Sequence, residues 1–176
     1  MFSYLPLRRG LRAPGGNLII FFEWILIMND TSNSGSDGQT ITRTLVPESK
    51  RMDIVDKLFG IKYVLKLEPT VFQFAEQLAD NYHYGYWEFY TLSNGGFYMA
   101  PRSDTIYNVS CDNGFDGQMT ADALGLVTCL YAYSNLSFGD GTGAGEFAET
   151  CANHYHWLRE YAMDHAEVRS ILRAID

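Results

Sequence analysis

Between residues 47 and 176 the apolar positions recur every three or four residues, then every two, then every three or four again. Pro47 opens the first helical block, where proline suits the first turn and Glu48 suits the positive end of the helix dipole. Met52, Val55, Leu58 and Phe59 follow at helical spacing, and Gly60 closes the block. A short apolar segment, Ile61–Leu67, leads to a second helix opened by Pro69. Its one face carries Val71, Ala75, Leu78, Ala79 and Tyr82; another carries Gln73, Glu76, Gln77 and Asp80. The period then shortens to two. Runs Tyr86–Leu92 and Phe97–Pro101 flank Ser93-Asn94-Gly95-Gly96, which supplies the positive φ angles of a tight hairpin. Aromatic residues crowd this hairpin, and they fit a pleated, half-buried surface. Thr105–Cys111 alternates, with Tyr107, Val109 and Cys111 on one side. Asp112-Asn113-Gly114 is a second turn, and Phe115, Gly117 and Met119 share a face beyond it. Four strands joined by short turns predict an antiparallel meander.

Helical spacing returns at Thr120, a good N-cap with Asp122 in the first turn. From Ala123 to Phe138 no residue is charged, which predicts a helix buried nearly all round. Gly139–Gly145 reads as a flexible loop. Phe147, Cys151, His154, Tyr155, Leu158, Tyr161 and Ala162 make the apolar stripe of a long helix, and Asp164 starts a last short one. The expected fold is α+β: a four-stranded antiparallel meander packed with about five helices in a single domain. The length of 176 residues suits one domain of roughly 100–200 residues, and 47% hydrophobic content suffices for a core.

Residues 1–45 read differently. Arg8, Arg9 and Arg12 precede an apolar run, Leu18–Ile27, that is broken by Glu23 and too short to span a bilayer. No small-x-small cleavage site follows it. After Met28 comes a polar, Ser/Asn/Gly-rich stretch that reads as a disordered leader. The expectation is an extension and leader over 1–45, with Met28 as the natural start, and a folded domain over 46–176.

A formal net charge of −8 with interspersed Lys and Arg argues against strong duplex DNA binding and against a dense carboxylate mimic of DNA. Three cysteines without a CxxC pair point to a reducing, cytoplasmic setting rather than a disulfide framework. The candidate chemistries fail on pattern. Gly139–Gly145 lacks the Gly-Lys-Ser/Thr ending of a phosphate loop and joins two helices. Cys151 and His154 share a helix face, but His156 points elsewhere and a fourth zinc ligand is missing, so no metal or other cofactor is expected. Ser93 lacks the elbow context of a nucleophile, and no enzyme is expected. The cluster Tyr82, Tyr84, Tyr86, Trp87, Phe89 and Tyr90 suits base stacking, which makes a single-stranded nucleic-acid-binding module the alternative reading. Its neighbours Asp80, Glu88 and Asp104, against Arg102 alone, favour protein contact instead.

Several segments carry a family resemblance. They are Gly85-Tyr86-Trp87-Glu88-Phe89-Tyr90, the run Leu92-Ser93-Asn94-Gly95-Gly96-Phe97-Tyr98-Met99-Ala100-Pro101, Gly114-Phe115, Thr120-Ala121-Asp122-Ala123 and the ending Ile171–Asp176. From about Val46 to Asp176 the chain resembles the ArdB/KlcA antirestriction family. The resemblance implies a small α+β protein of plasmids and other mobile elements that relieves type I restriction–modification of incoming DNA without catalysis. It supplies no fixed set of functional residues. The partner it implies is the host type I restriction–modification complex or its associated machinery, with no role for a membrane. On surface chemistry, the expected contact residues are Tyr86, Trp87, Glu88 and Asn94 on the hairpin and Asp176 at the acidic chain end.

Overall fold

A helix with no charged residue beyond its first turn lies at the centre of the structure, a computed structural model that describes residues 40–138 and 145–176. This helix, α3, spans Ala121–Ser137, and every residue from Ala123 to Leu130 is buried. Thr120 starts it by accepting the Ala123 N–H on Oγ1 at 3.3 Å, the side-chain cap expected from sequence. Around α3 pack α2 (Glu68–Leu78), α4 (Glu146–Ala162), α5 (Val168–Ile175) and strand β3 (Phe97–Pro101). Gly125 lets the helix approach β3 closely: a Cβ there would lie 2.4 Å from Ala100 Cβ and 2.6 Å from the Met99 carbonyl oxygen.

Helix α1 (Arg51–Phe59) follows a 3₁₀ turn at Glu48–Lys50 and stops at Gly60, whose φ of 54° only glycine adopts cheaply. The apolar segment after it is not a simple connector. Tyr63–Leu67 forms a π-helical turn that runs straight into α2, burying Tyr63 and Leu67 and leaving Val64 and Leu65 outside.

Strands β1 (Arg43–Leu45), β2 (Trp87–Leu92) and β3 form one antiparallel sheet in that order. The register pairs Trp87 with Pro101, Phe89 with Met99 and Arg43 with Leu92. Trp87 and Phe89 therefore share one face with Met99 and Phe97, and that face packs on Phe59, Tyr63 and Phe72. Strands β4 (Tyr107–Ser110) and β5 (Asp116–Met119) make a separate hairpin.

The α+β class and the four expected strands are present, but the meander is broken after Pro101. The reason lies at the outer edge of β3. Cys129 Sγ accepts the Met99 N–H (3.4 Å) and its thiol donates to the Met99 carbonyl (3.5 Å), and Tyr133 Oη donates to the Phe97 carbonyl at 2.9 Å. With that edge closed by α3, β4 pairs elsewhere. It bridges Val109 to Ala79 beyond α2, helped by Asn81, which donates to Ile106 O and accepts from Asn108 N–H. A second correction concerns Arg43–Leu45: these residues, placed in the leader by sequence, form β1 of the folded unit Thr40–Asp176. The readings of residues 1–39 and of the glycine loop at 139–144 fall outside the described residues.

Candidate functional site

Two connectors run side by side and stay outside the core. One is His83–Tyr86, between α2 and β2; the other is Arg102–Ile106, between β3 and β4. The Arg102 N–H donates to Tyr86 O at 2.8 Å, and Asn81 Nδ2 donates to Ile106 O at 3.0 Å. Every residue of both connectors is exposed. Tyr84 is 80% exposed, Ile106 48% and Tyr86 45%. Local bonds hold the shape: Ser103 Oγ accepts the Thr105 N–H at 3.0 Å, and Tyr84 rests edge-on against buried Tyr82.

The connectors form a shelf with a depression on each side of Arg102-Ser103. One, of about 260 Å³, is lined by Asn81, Tyr84, Tyr86 and Thr105 among others. The second, of about 220 Å³, is lined by Arg43, Glu88, Tyr90, Asp104 and Asp122. Exposed tyrosines and an isoleucine beside charges of both signs have the composition of a protein-contact surface.

A polar network supports the second depression. Asp122, in the first turn of α3, receives Arg43 from β1, Tyr98 Oη from β3 at 2.9 Å and His165 at 3.1 Å. Burial alone would push the Asp122 carboxyl up, but the His165 hydrogen bond, the Arg43 charge and the Tyr98 hydroxyl hold it below its ordinary range. Arg43 lies over the Tyr90 ring, and Tyr90 stacks on Tyr98 at 4.9 Å. Tyr90 donates to Glu88 at 2.8 Å; burial, with that carboxylate second, pushes its phenol up to about 12. His165 Nδ1 accepts the Glu167 N–H at 3.0 Å, so the ring proton sits on Nε2 and points at Asp122. Both ring nitrogens are thereby occupied, and the pair works as a clamp between α3 and the start of α5.

The sequence-predicted contact residues separate into three groups. Tyr86 and Glu88 line the depressions. Tyr86 also covers Arg51, whose guanidinium lies 4.5 Å from its ring and donates to Trp87 O at 2.8 Å. Glu88 faces Arg102 at 3.6 Å. Trp87 is a core residue, 4% exposed, and its Nε1 donates to Tyr82 Oη at 3.0 Å. It cannot belong to a contact surface, because strand parity sends it inward with Phe89. Asn94 fastens the hairpin turn to α4: its Nδ2 donates to Trp157 O (3.0 Å) and Glu160 (3.1 Å), and its Oδ1 accepts the Gly96 N–H. Asp176 ends α5, its side chain 64% exposed and 4.0 Å from Arg159. Asn113 and Tyr131 hold that end by donating to Arg173 and Ala174 carbonyls. Neither Asn94 nor Asp176 lines a depression.

Tyr84, named only within the aromatic cluster, Ile106 and Arg43 were not among the contact residues expected from sequence. A signal for the first two was present: Tyr84 lies before the first strand run, and Ile106 falls on the side of the Thr105–Cys111 alternation opposite Tyr107, Val109 and Cys111. Arg43 was illegible without β1. Cys151 and His154 both face the core, whereas His156 lies on the exposed side of α4, which fits the packing role read for them. His154 stacks on Tyr133 and meets the Phe59 ring at a tilt, and burial pushes its pKa down to about 4. No described helix is long and apolar enough to cross a membrane.

Comparison with known proteins adds to this geometry. A family model described as "Antirestriction protein" matches residues 80–176. An antirestriction protein KlcA of Escherichia coli is 39% identical over 143 residues, covering 80% of this chain and 99% of its own length. The uncharacterized protein YafX of Escherichia coli (strain K12) is 41% identical over 140 residues, 77% of this chain and 88% of its own. A solved structure superposes with a TM-score of 0.72 at 35% identity, over 81% of this chain and 99% of that one. It is described as showing that the KlcA and ArdB proteins have "a novel fold and antirestriction activity against Type I DNA restriction systems in vivo but not in vitro".

Proposed function

This chain belongs to the antirestriction protein family of KlcA and ArdB, and on that premise we propose that it relieves type I restriction of incoming DNA by contacting protein components of the restriction machinery in the cytoplasm. Family membership carries the activity; the shelf carries the mode of action. The activity described for the solved relatives appears in vivo and not in vitro. That pattern fits an inhibitor that needs a partner, or a working state of the machinery, that only the cell supplies.

Protein contact is favoured over nucleic-acid contact by the charges at the shelf. Tyr84 and Tyr86 offer faces for stacking, but Arg43 and Arg102 are matched by Glu88, Asp104 and Asp122. A phosphate track needs unmatched cations. Within the proposed contact, Tyr84, Tyr86 and Ile106 are the apolar anchors, and Glu88, Arg102 and Asp104 surround them. Asp176 is a separate, acidic contact point at the chain end, tested by Asp176→Asn.

The test is the plating efficiency of unmodified phage on a host carrying a type I restriction system, with and without this gene. Protection by the gene is expected, and plating indistinguishable from the empty host would contradict the function. A mobility-shift titration with single-stranded DNA decides the mode. Tight, salt-sensitive binding there would displace protein contact.

A further inference from the structure

All four lysines of this acidic chain fall between residues 50 and 66. Lys50 pairs with Asp53 at 3.4 Å. The other three, Lys57, Lys62 and Lys66, have no carboxylate within ion-pair distance among the described residues. The segment from Lys57 to Lys66 contains no acidic residue at all.

In the same segment lies an apolar group turned away from the core. Ile61 is 66% exposed, Leu65 64% and Val64 45%. The positive φ of Gly60 ends α1 and sets off the π turn, which buries Tyr63 and Leu67 as anchors, presents Val64 and Leu65 outward and leaves Lys66 half-buried. Leu65 N–H reaches Ile61 O at 3.2 Å, so Ile61 and Leu65 lie one turn apart, with Val64 beside them. Lys62 follows Ile61 in the chain and Lys66 follows Leu65, with Lys57 at the end of α1. None of these residues lines either depression beside the shelf.

We propose that this patch docks an acidic, amphipathic segment of a partner protein. Its apolar side chains would cover Ile61, Val64 and Leu65, while its carboxylates pair with Lys57, Lys62 and Lys66. Complementary charge selects the partner. Three ammonium groups that neighbour the apolar residues along the chain and have no ion pair among the described residues attract a carboxylate-bearing surface and repel a basic one. The same charges argue against a membrane or DNA as the occupant. A flat anionic bilayer or a phosphate rod also meets the rest of the molecule, whose net charge is −8, within a Debye length of about 10 Å. A short protein segment meets the patch alone. The proposal goes beyond the shelf and does not depend on what the shelf contacts.

The experiment uses the full chain and a labelled amphipathic peptide of ~18 residues, about five helical turns, built of Leu, Ala and Glu. Its counterpart carries Lys in place of every Glu. Fluorescence anisotropy should show the acidic peptide binding at least about tenfold more tightly than the basic one, with affinity falling as salt rises. Lys62→Glu with Lys66→Glu, and separately Leu65→Asp, should each weaken the acidic peptide by a similar factor. Lys62 and Leu65 are exposed and Lys66 is half-buried, so melting temperatures should match the parent for Leu65→Asp and for Lys62→Glu alone, which keeps the charge test if the double variant melts lower. Three results would each overturn the proposal: equal binding of both peptides or none, acidic-peptide affinity unchanged in the lysine variant, or tighter binding to phosphatidylglycerol vesicles or a single-stranded oligonucleotide.

Discussion

Residues 82–101 hold two populations of aromatic side chains with opposite fates. Trp87, Phe89, Phe97 and Tyr98 are buried, packed ring against ring or bonded to α3. Tyr84 and Tyr86, a few positions earlier, stand exposed. The composition is the same; the backbone differs. In β2 the period of two delivers Trp87 and Phe89 to a face that the helices cover, and β3 is buried at every position. In the connector no strand partner fixes a face, and the rings remain outside. An aromatic-rich segment is therefore both core and surface, and the change occurs between Tyr86 and Trp87.

Substitution on the two sides should separate stability from activity. The largest effect is expected at Trp87→Ala, which empties the space against Phe72 and Tyr82 and removes the Nε1 bond to Tyr82. A loss of about 3–5 kcal/mol is expected in urea unfolding, with antirestriction lost along with the fold.

Acid should act on the buried side as well. His154 carries no hydrogen bond on Nδ1 and sits among Phe59, Tyr133 and Trp157. Its folded pKa is lowered to about 4, against an unfolded value near 6.5. The unfolded chain therefore binds the proton first. Stability is full above the unfolded value, falls as the pH drops toward about 4 and levels off below that. The loss is on the order of 3 kcal/mol. His154→Phe should flatten the unfolding free energy across that window; an unchanged slope would remove His154 as the cause. Asp122, whose carboxyl is held low, loses its contribution only at lower pH, as it is protonated.

Asp122→Asn should cost about 1.5–3 kcal/mol in thermal or urea unfolding, because Arg43, Tyr98 and His165 all lose a charged acceptor. Asn94→Ala should cost about 1 kcal/mol by freeing the hairpin turn from Trp157 and Glu160, with plating protection retained. Retained stability in the first or lost protection in the second would move those residues from scaffold to surface.

Much of the scaffold could be read from single positions. Thr120 announced α3, Gly60 ended α1, and Asn94-Gly95-Gly96 placed the hairpin. What escaped was set by contacts remote in sequence. Arg43-Thr44-Leu45 is three exposed residues with no alternation to detect, and it is a strand only because β2 offers an edge. The division of the meander depends on Cys129 and Tyr133 reaching the backbone of β3 from a helix some thirty residues away. Trp87 was misplaced on the surface, although the alternation Trp87, Phe89 against Glu88, Tyr90 already showed its parity. The shelf needed the fold, since only tertiary structure brings residue 102 beside residue 86.

In the proposed contact, exposed connector side chains, not the buried hairpin, meet the partner protein. Tyr84→Ala combined with Ile106→Asp tests it most directly, because both side chains are exposed and surface changes of this kind usually shift stability by less than about 0.5 kcal/mol. Plating efficiency of unmodified phage on a type I restricting host would be measured at matched levels of folded protein. The expected result is loss of protection with an unchanged melting curve. Full protection by the folded double variant would show that the connectors do not make the contact.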